Sequence, residues 1–260
     1  MIPKITCIIQ ARTESLRLAG KVLLKLGKKT VLQYLIERLK KSKNIDSFIL
    51  ATTKKKKDNT ICKLAKKQKI LIFRGDEKNV LKRYYLCAKK NHSSIIIRIT
   101  ADCPLIDIKY IDELIKVFKK NKYDYLTNLY FNYLPDGFHC EIFNFETLEK
   151  AFKSAKSSFD KEHVTPYIWK NPKKFKVNYF KGKKLENVSK KIRLTLDYYE
   201  DYLLIKKIFD SLYFKNKYFS LREILVFLKK NQNLLKINEK YHRLQWTKFH
   251  SKRKRYQTIN

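Results

Sequence analysis

Over its first 120 residues the chain alternates short β-branched runs with amphipathic stretches of helical period, and that rhythm leaves few folds open. ITCIIQ at 5–10, SFILATT at 47–53, ILIF at 70–73 and SIIIRIT at 94–100 read as strands. Between them TVLQYLIERLKKS at 30–42, DNTICKLAKK at 58–67 and residues 77–90 read as helices, with caps expected at Thr30 and Asp58. A further helix is expected at 108–120. Strand–helix–strand units in series predict an α/β fold with a mostly parallel central sheet.

From Tyr123 the rhythm changes. Residues 123–145 are rich in Tyr, Phe and Asn, carry the turn signal Pro135-Asp136-Gly137, and predict a small antiparallel subregion. Helices at 145–156 and 160–170 and strands at 174–180 and 191–196 follow, then helices at 199–213 and 220–230. Neither an internal repeat nor a long linker interrupts the chain. The economical reading is one domain over 1–240, in which 123–190 forms the subregion, with a basic tail over 241–260.

The formal net charge of +36 invites a polyanionic partner. Most of the excess is Lys, however, and it is spread along the chain together with many Asn, Ile, Tyr and Phe and only five Gly and five Pro. Nucleic-acid grooves cluster Arg with aromatics, so no specific nucleic acid is expected. The run Lys252-Arg253-Lys254-Arg255 reads as a solvated tail. Apolar residues at 44% suffice for a packed core. Five cysteines without a CxxC pair argue for a reducing compartment and against a zinc site. No apolar run approaches the roughly 20 residues of a membrane span, which places the protein in the cytoplasm.

In a parallel sheet, ligands bind beyond the carboxyl ends of the strands. Four such places carry chemistry. The loop ARTESLRLAGK at 11–21 offers Arg12, Arg17 and Lys21 with Ser15, either a polyphosphate site or a sample of a basic composition; it is not a Walker loop, since GxxxxGK[ST] is absent. RITADCPL at 98–105 puts Asp102 at a strand tip, suited to Mg²⁺ or to a turn. RLTLD at 193–197 repeats the arrangement with Asp197, for which a helix cap is the alternative, while Asp201 fits a solvated helix position. FRGD at 73–76 is a glycine turn that suits a base or ribose, or a surface ion pair.

Taken together, these segments resemble the sugar-acid cytidylyltransferases. IIQARTESLRLAGKVL, FRGDEKNVLKRYY, RITADCPLID, PDGFHCEIF, EHVTPYIWKNPKKF and RLTLDYYEDYLLIKKIF stand in family order over about residues 2–240. The nearest resemblance is to the spore-coat polysaccharide branch, related to the 3-deoxy-manno-octulosonate and acylneuraminate enzymes. The resemblance implies a nucleotide-diphospho-sugar transferase fold, Rossmann-like and of GT-A type. It also implies transfer of CMP from CTP to a sugar acid with release of pyrophosphate. By position, Arg12, Ser15, Arg17 and Lys21 would hold the triphosphate, Ala11 would also fall in the nucleotide site, and Asp102 and Asp197 would bind Mg²⁺. Arg12, Lys21, Asp102 and Asp197 would act in catalysis. Arg74, Asp76 and Thr100 fall where the nucleoside is contacted, and Asn128, Asp136, His139, Glu141 and His163 fall in the sugar pocket. Relatives of this kind are commonly dimers, which leaves a homodimer through 123–145 open.

This chain departs from the pattern at three positions: Glu14 replaces a common Gly, Ala19 a usual Pro, and His139 an Asp. A glycosyltransferase on the same fold would want a DxD motif, and Asp124-Tyr125 is followed by Leu126. An inactive homologue, prompted by His139, and a nucleic-acid-binding protein complete the alternatives.

Overall fold

The structure, a computed structural model, describes residues 3–129, 134–180 and 192–244, with backbone alone for Arg243 and Leu244. The tail run Lys252–Arg255, residues 130–133 of the 123–145 segment and residues 181–191 therefore lie outside the described residues. Strands β1 (Ile5–Gln10), a short hairpin of β2 (Lys25–Leu26) and β3 (Lys29–Thr30), and helix α1 (Val31–Leu39) open the chain. Strand β4 (Ser47–Thr53), α2 (Asn59–Lys67), β5 (Leu71–Gly75), α3 (Val80–Lys90), β6 (Ile95–Thr100) and α4 (Ile108–Asn121) complete the first half. The second half holds β7 (Tyr125–Thr127), β8 (Glu141–Asn144), α5 (Phe145–Ser154), α6 (Ser158–His163), α7 (Pro166–Lys170), β9 (Val177–Tyr179), α8 (Tyr199–Leu212), α9 (Leu221–Lys230) and a kinked 3-10 segment, Gln232–Leu244.

Seven strands form one sheet in the order β5-β4-β1-β6-β8-β7-β9. β5, β4, β1 and β6 pair in parallel, while β8 runs antiparallel to both β6 and β7. The apolar runs are nearly continuous because both faces are covered. In β1, Ile5, Cys7 and Ile9 face the α1, α2 and α4 layer, and Ile8 faces the α3, α5 and α7 layer. A third cluster packs α8 and α9 against Leu26, Val31 and Tyr34. In register, Gln10 lies beside Ala51 and Thr100, and Thr53 beside Gly75. The loops after β1, β4, β5 and β6 therefore leave from one edge.

Two expectations need correction. Residues 192–196 do not form a strand: Asp136 and Arg193 make an isolated parallel bridge, and the segment threads between two turns, Leu194 N–H donating to the Asp136 carbonyl and Leu196 N–H to that of Asp102. The helix expected at 160–170 breaks in two at Val164, whose φ of 72° ends α6 before Pro166 starts α7. Thr30 caps α1 in a capping box with Gln33. Asp58 precedes α2 without capping it by side chain.

Candidate active site

The displaced duty of Asp58 shows how the opening loop is held. Its carboxylate, 2% exposed, accepts from Thr13 N and Oγ1 at 2.8 and 2.7 Å, from Thr52 Oγ1 at 2.9 Å and from Thr53 N at 3.2 Å. The loop after β1 is thereby tied to the end of β4. It closes on itself where Gly20, at φ 68°, donates its N–H to the Thr13 carbonyl at 2.9 Å. Lys21 follows, at the start of a 3-10 turn, and its side chain reaches Asp102 and Asp197.

Lys21 Nζ lies 3.2 Å from Asp102 Oδ2 and 2.9 Å from Asp197 Oδ1, and donates to the Leu196 carbonyl at 2.7 Å. Burial works against its charge, but Asp102 and Asp197 more than offset this and raise its pKa. Burial likewise opposes the charge of Asp197, yet Lys21 and Arg17 hold that carboxyl down to about 2. Arg17 reaches Asp197 Oδ1 at 2.5 Å from a half-exposed position. The two strand-end aspartates of the sequence thus meet at one ammonium.

Beneath them, Arg193 is buried and gathers three carboxylates: Asp136 Oδ2 at 2.9 Å, Asp197 Oδ2 at 2.9 Å and Asp201 Oδ1 at 3.2 Å. Asp201 is fully buried rather than solvated, and its Oδ2 accepts the Asp197 and Tyr198 N–H groups at 3.0 Å each. Asn238 of the 3-10 segment donates to Asp201 Oδ1 and to the Arg193 carbonyl at 2.8 and 2.9 Å. Neither Arg193 nor Asn238 stood among the site residues read from sequence. The spacing of four between Arg193, Asp197 and Asp201 was a visible signal for the first; nothing in the sequence pointed to the second.

These groups open on a cleft of about 1010 Å³. Of the residues singled out from sequence, Arg12, Ser15, Arg17, Thr100, Asp102, Asp136, His139, Glu141, His163 and Asp197 line it. Ala11, Lys21, Arg74, Asp76 and Asn128 do not; Lys21 sits behind Asp102 and Asp197, which do. Arg74 is spent elsewhere, donating to the Thr53 and Lys55 carbonyls and to Asn59 Oδ1 at 2.9, 2.7 and 2.7 Å. The Asp76 carboxylate accepts the Lys78 and Asn79 N–H groups in a local turn. Asn128 donates to the Phe138 carbonyl and accepts from Cys140 N at 2.8 and 2.7 Å, so it shapes the 134–140 loop rather than facing ligand.

Glu141 lines the cleft but its carboxylate is committed to Arg98, Tyr125 and Thr165. His139 Nδ1 stands 3.4 Å from Asp136 Oδ1, and burial pushes the imidazole pKa down, toward the neutral form. Glu14 turns away from the phosphate side onto Lys57 at 3.0 Å and Lys55 at 2.5 Å, so its charge is matched locally.

Half-exposed Arg12 and Arg17 beside a buried Lys21 can neutralise several phosphate oxygens at once. The carboxylate pair suits a hard divalent cation. Mg²⁺ commonly takes one or two carboxylates and completes its shell with water and phosphate oxygens. Among the described residues no group of three or more acidic, His or Cys side chains gathers for a metal. No helix of the described residues is long and apolar enough to cross a membrane.

Residues 6–241 match the family model described as Cytidylyltransferase. An uncharacterized protein of Methanocaldococcus jannaschii is 44% identical over 239 residues, covering 90% of this chain and 94% of that protein. The spore coat polysaccharide biosynthesis protein SpsF of Bacillus subtilis is 33% identical over 211 residues, 78% of this chain and 85% of SpsF. Among solved structures, a cytidylyltransferase from Leptospira borgpetersenii superposes with a TM-score of 0.84 at 35% identity, covering 90% of this chain and 97% of that one.

Proposed function

Because the chain belongs to the cytidylyltransferase family, we propose that it activates a sugar acid of the octulosonic or nonulosonic type, with CTP as donor and pyrophosphate as the second product. The acceptor hydroxyl oxygen attacks the α-phosphorus; the new O–P bond forms as the bond to the β-phosphate oxygen breaks, and the hydroxyl proton leaves to solvent. A reaction of this kind needs charge neutralised and reactants aligned more than it needs covalent chemistry from the protein. Arg12, Ser15 and Arg17 bind the phosphates, and Lys21, held by its two aspartates, stabilises charge on the departing pyrophosphate. Asp102 and Asp197 would hold Mg²⁺, which when bound neutralises phosphate charge and acidifies the acceptor hydroxyl. His139 and His163 line the acceptor end of the cleft, and Asp136 and Arg193 fix the wall beside them.

The observation that carries this reading is the convergence on the Lys21 ammonium of Asp102 and Asp197, which line one cleft with Arg12 and Arg17. SpsF, named for polysaccharide biosynthesis, supports an acceptor destined for a surface glycan. The test is pyrophosphate release with each of the four nucleoside triphosphates against a panel of sugar acids, with and without Mg²⁺. Release is expected with CTP, a sugar acid and Mg²⁺ together. Release from CTP with neutral sugars alone would overturn the sugar-acid assignment.

A further inference from the structure

Arg83, one turn into α3, is 1% exposed and lines the cleft. The other cleft guanidiniums have carboxylate partners: Arg12 has Glu77, Arg17 has Asp197, Arg98 has Glu141 and Arg193 has three aspartates. Among the described residues no carboxylate lies within ion-pair distance of Arg83. Its hydrogen bonding there is one donation, Nη1–H to the Asp76 carbonyl at 2.6 Å, and its Nε is buried without an acceptor. Burial lowers its basicity and Arg12 repels it, while Asp58 and Asp76 attract it from beyond pairing distance. A buried cation left this short of acceptors is costly unless a ligand completes it.

Its place says which part of a ligand that is. Glu77, the partner of Arg12, follows directly on Asp76, so Arg83 stands on the β5 side of the phosphate-holding loop. The Asp102 and Asp197 pair and the Asp136 and His139 wall lie on the other side, toward β6 and β8. With the phosphates on Arg12, beyond β1, and the α-phosphorus toward Asp102 and Asp197, beyond β6, the β5 side where Arg83 lines the cleft is left for the base. Gly75 makes the position possible, since a Cβ there would meet Arg83 Cγ at 3.0 Å and the Phe73 ring at 2.9 Å.

We infer that Arg83 is the base-reading residue, its guanidinium fork donating to the adjacent acceptors O2 and N3 of cytosine. Uracil offers O2 but carries a proton on N3, so the same fork meets a donor and rejects it. The inference rests on the CTP reading above and moves the nucleoside contact from Arg74 and Asp76, which the cleft does not present, to Arg83 in the first turn of α3.

The experiment measures the affinities of CTP, UTP and 3-deazacytidine triphosphate, which lacks the N3 acceptor, by calorimetry on the full chain without acceptor, beside CTP and UTP turnover. Wild type is expected to favour CTP over both analogues by about ten- to a hundredfold, the range of one good bidentate contact. Arg83→Lys and Arg83→Gln should shrink the CTP-to-UTP ratio by most of that factor. Equal wild-type affinity for CTP and its 3-deaza analogue would overturn the inference even if the variants fail to fold, as would folded variants that keep the full ratio. Selective CTP binding without turnover of any sugar acid would leave the base assignment standing and defeat the acceptor assignment instead.

Discussion

Lys21 shows how one side chain can hold a site in readiness. Its ammonium separates two carboxylates that would otherwise repel, and Leu196 adds a carbonyl. Asp102 is the more exposed of the pair and answers mainly to Lys21. Asp102→Asn should therefore lower kcat by about a hundredfold, roughly 3 kcal/mol, with little change in melting temperature; stopped-time pyrophosphate assays and thermal melts check both halves. Asp197 carries more of the fold. Its pKa falls from the ordinary 3.8 to about 2 in the folded state, so its ion pairs stabilise the protein fully above about pH 4. That contribution, about 2 kcal/mol, disappears as pH falls through about 2. Urea midpoints between pH 5 and 2 should drop more steeply for wild type than for Asp197→Asn, which starts lower and lacks this limb. The meeting of Lys21, Asp102 and Asp197 was legible because the first two follow strand ends, and Asp197 ends a run that composition alone makes strand-like. Asp58 and Arg193 were not, because a carboxylate before a helix reads as a cap and an Arg in a basic chain reads as solvated. The tertiary partner Thr13 distinguishes Asp58, and for Arg193 the one sequence signal, its spacing of four to Asp197 and then Asp201, becomes decisive only with Asp136 beside it.

At the level of elements, the parallel half was readable to within a few residues because each strand is an apolar run bounded by helical periodicity. The segment before Asp197 has the same composition as a strand, with Ile192, Leu194 and Leu196 all buried, yet it pairs with turns instead of a sheet edge. Composition reports burial and not the partner that causes it. Gly137 makes this packing possible: its φ is 104°, and a Cβ there would stand 2.4 Å from the Leu194 carbonyl oxygen. Gly137→Ala should push residues 134–140 away from 192–196 and weaken the Asp136–Arg193 pair at a cost of about 1–3 kcal/mol. The expected signature is a raised KM for the acceptor with nucleotide affinity nearly retained, read by varying each substrate separately. Equal losses for both would mean that the two turns also shape the nucleotide end. Val164 marks the other place where local sequence gave no warning, since a β-branched residue in left-handed backbone is uncommon and here ends one helix so that the next can start.

For the molecule as a whole, the question raised by +36 charges is whether the excess acts on the reaction or merely surrounds it. Two pairs of cations in and beside the cleft differ in exposure. Lys21 and Arg193 are buried with carboxylates a hydrogen bond away, and salt screens such pairs little. Arg12 and Arg17 are about half exposed, and the chain's excess of Lys and Arg over Asp and Glu extends their field. A field of that kind draws in a triphosphate from a distance and fades as the screening length shrinks from about 10 Å at 0.1 M salt to about 3 Å at 1 M. Raising KCl from 0.05 to 0.5 M should therefore raise the nucleotide KM several-fold while kcat, set by the buried groups, changes less than about twofold. Steady-state kinetics at stepped salt and saturating acceptor measure both constants. A fall confined to kcat would place the salt-sensitive charges at the α-phosphorus itself, and would mean that Lys21 loses its aspartates more readily than their burial implies.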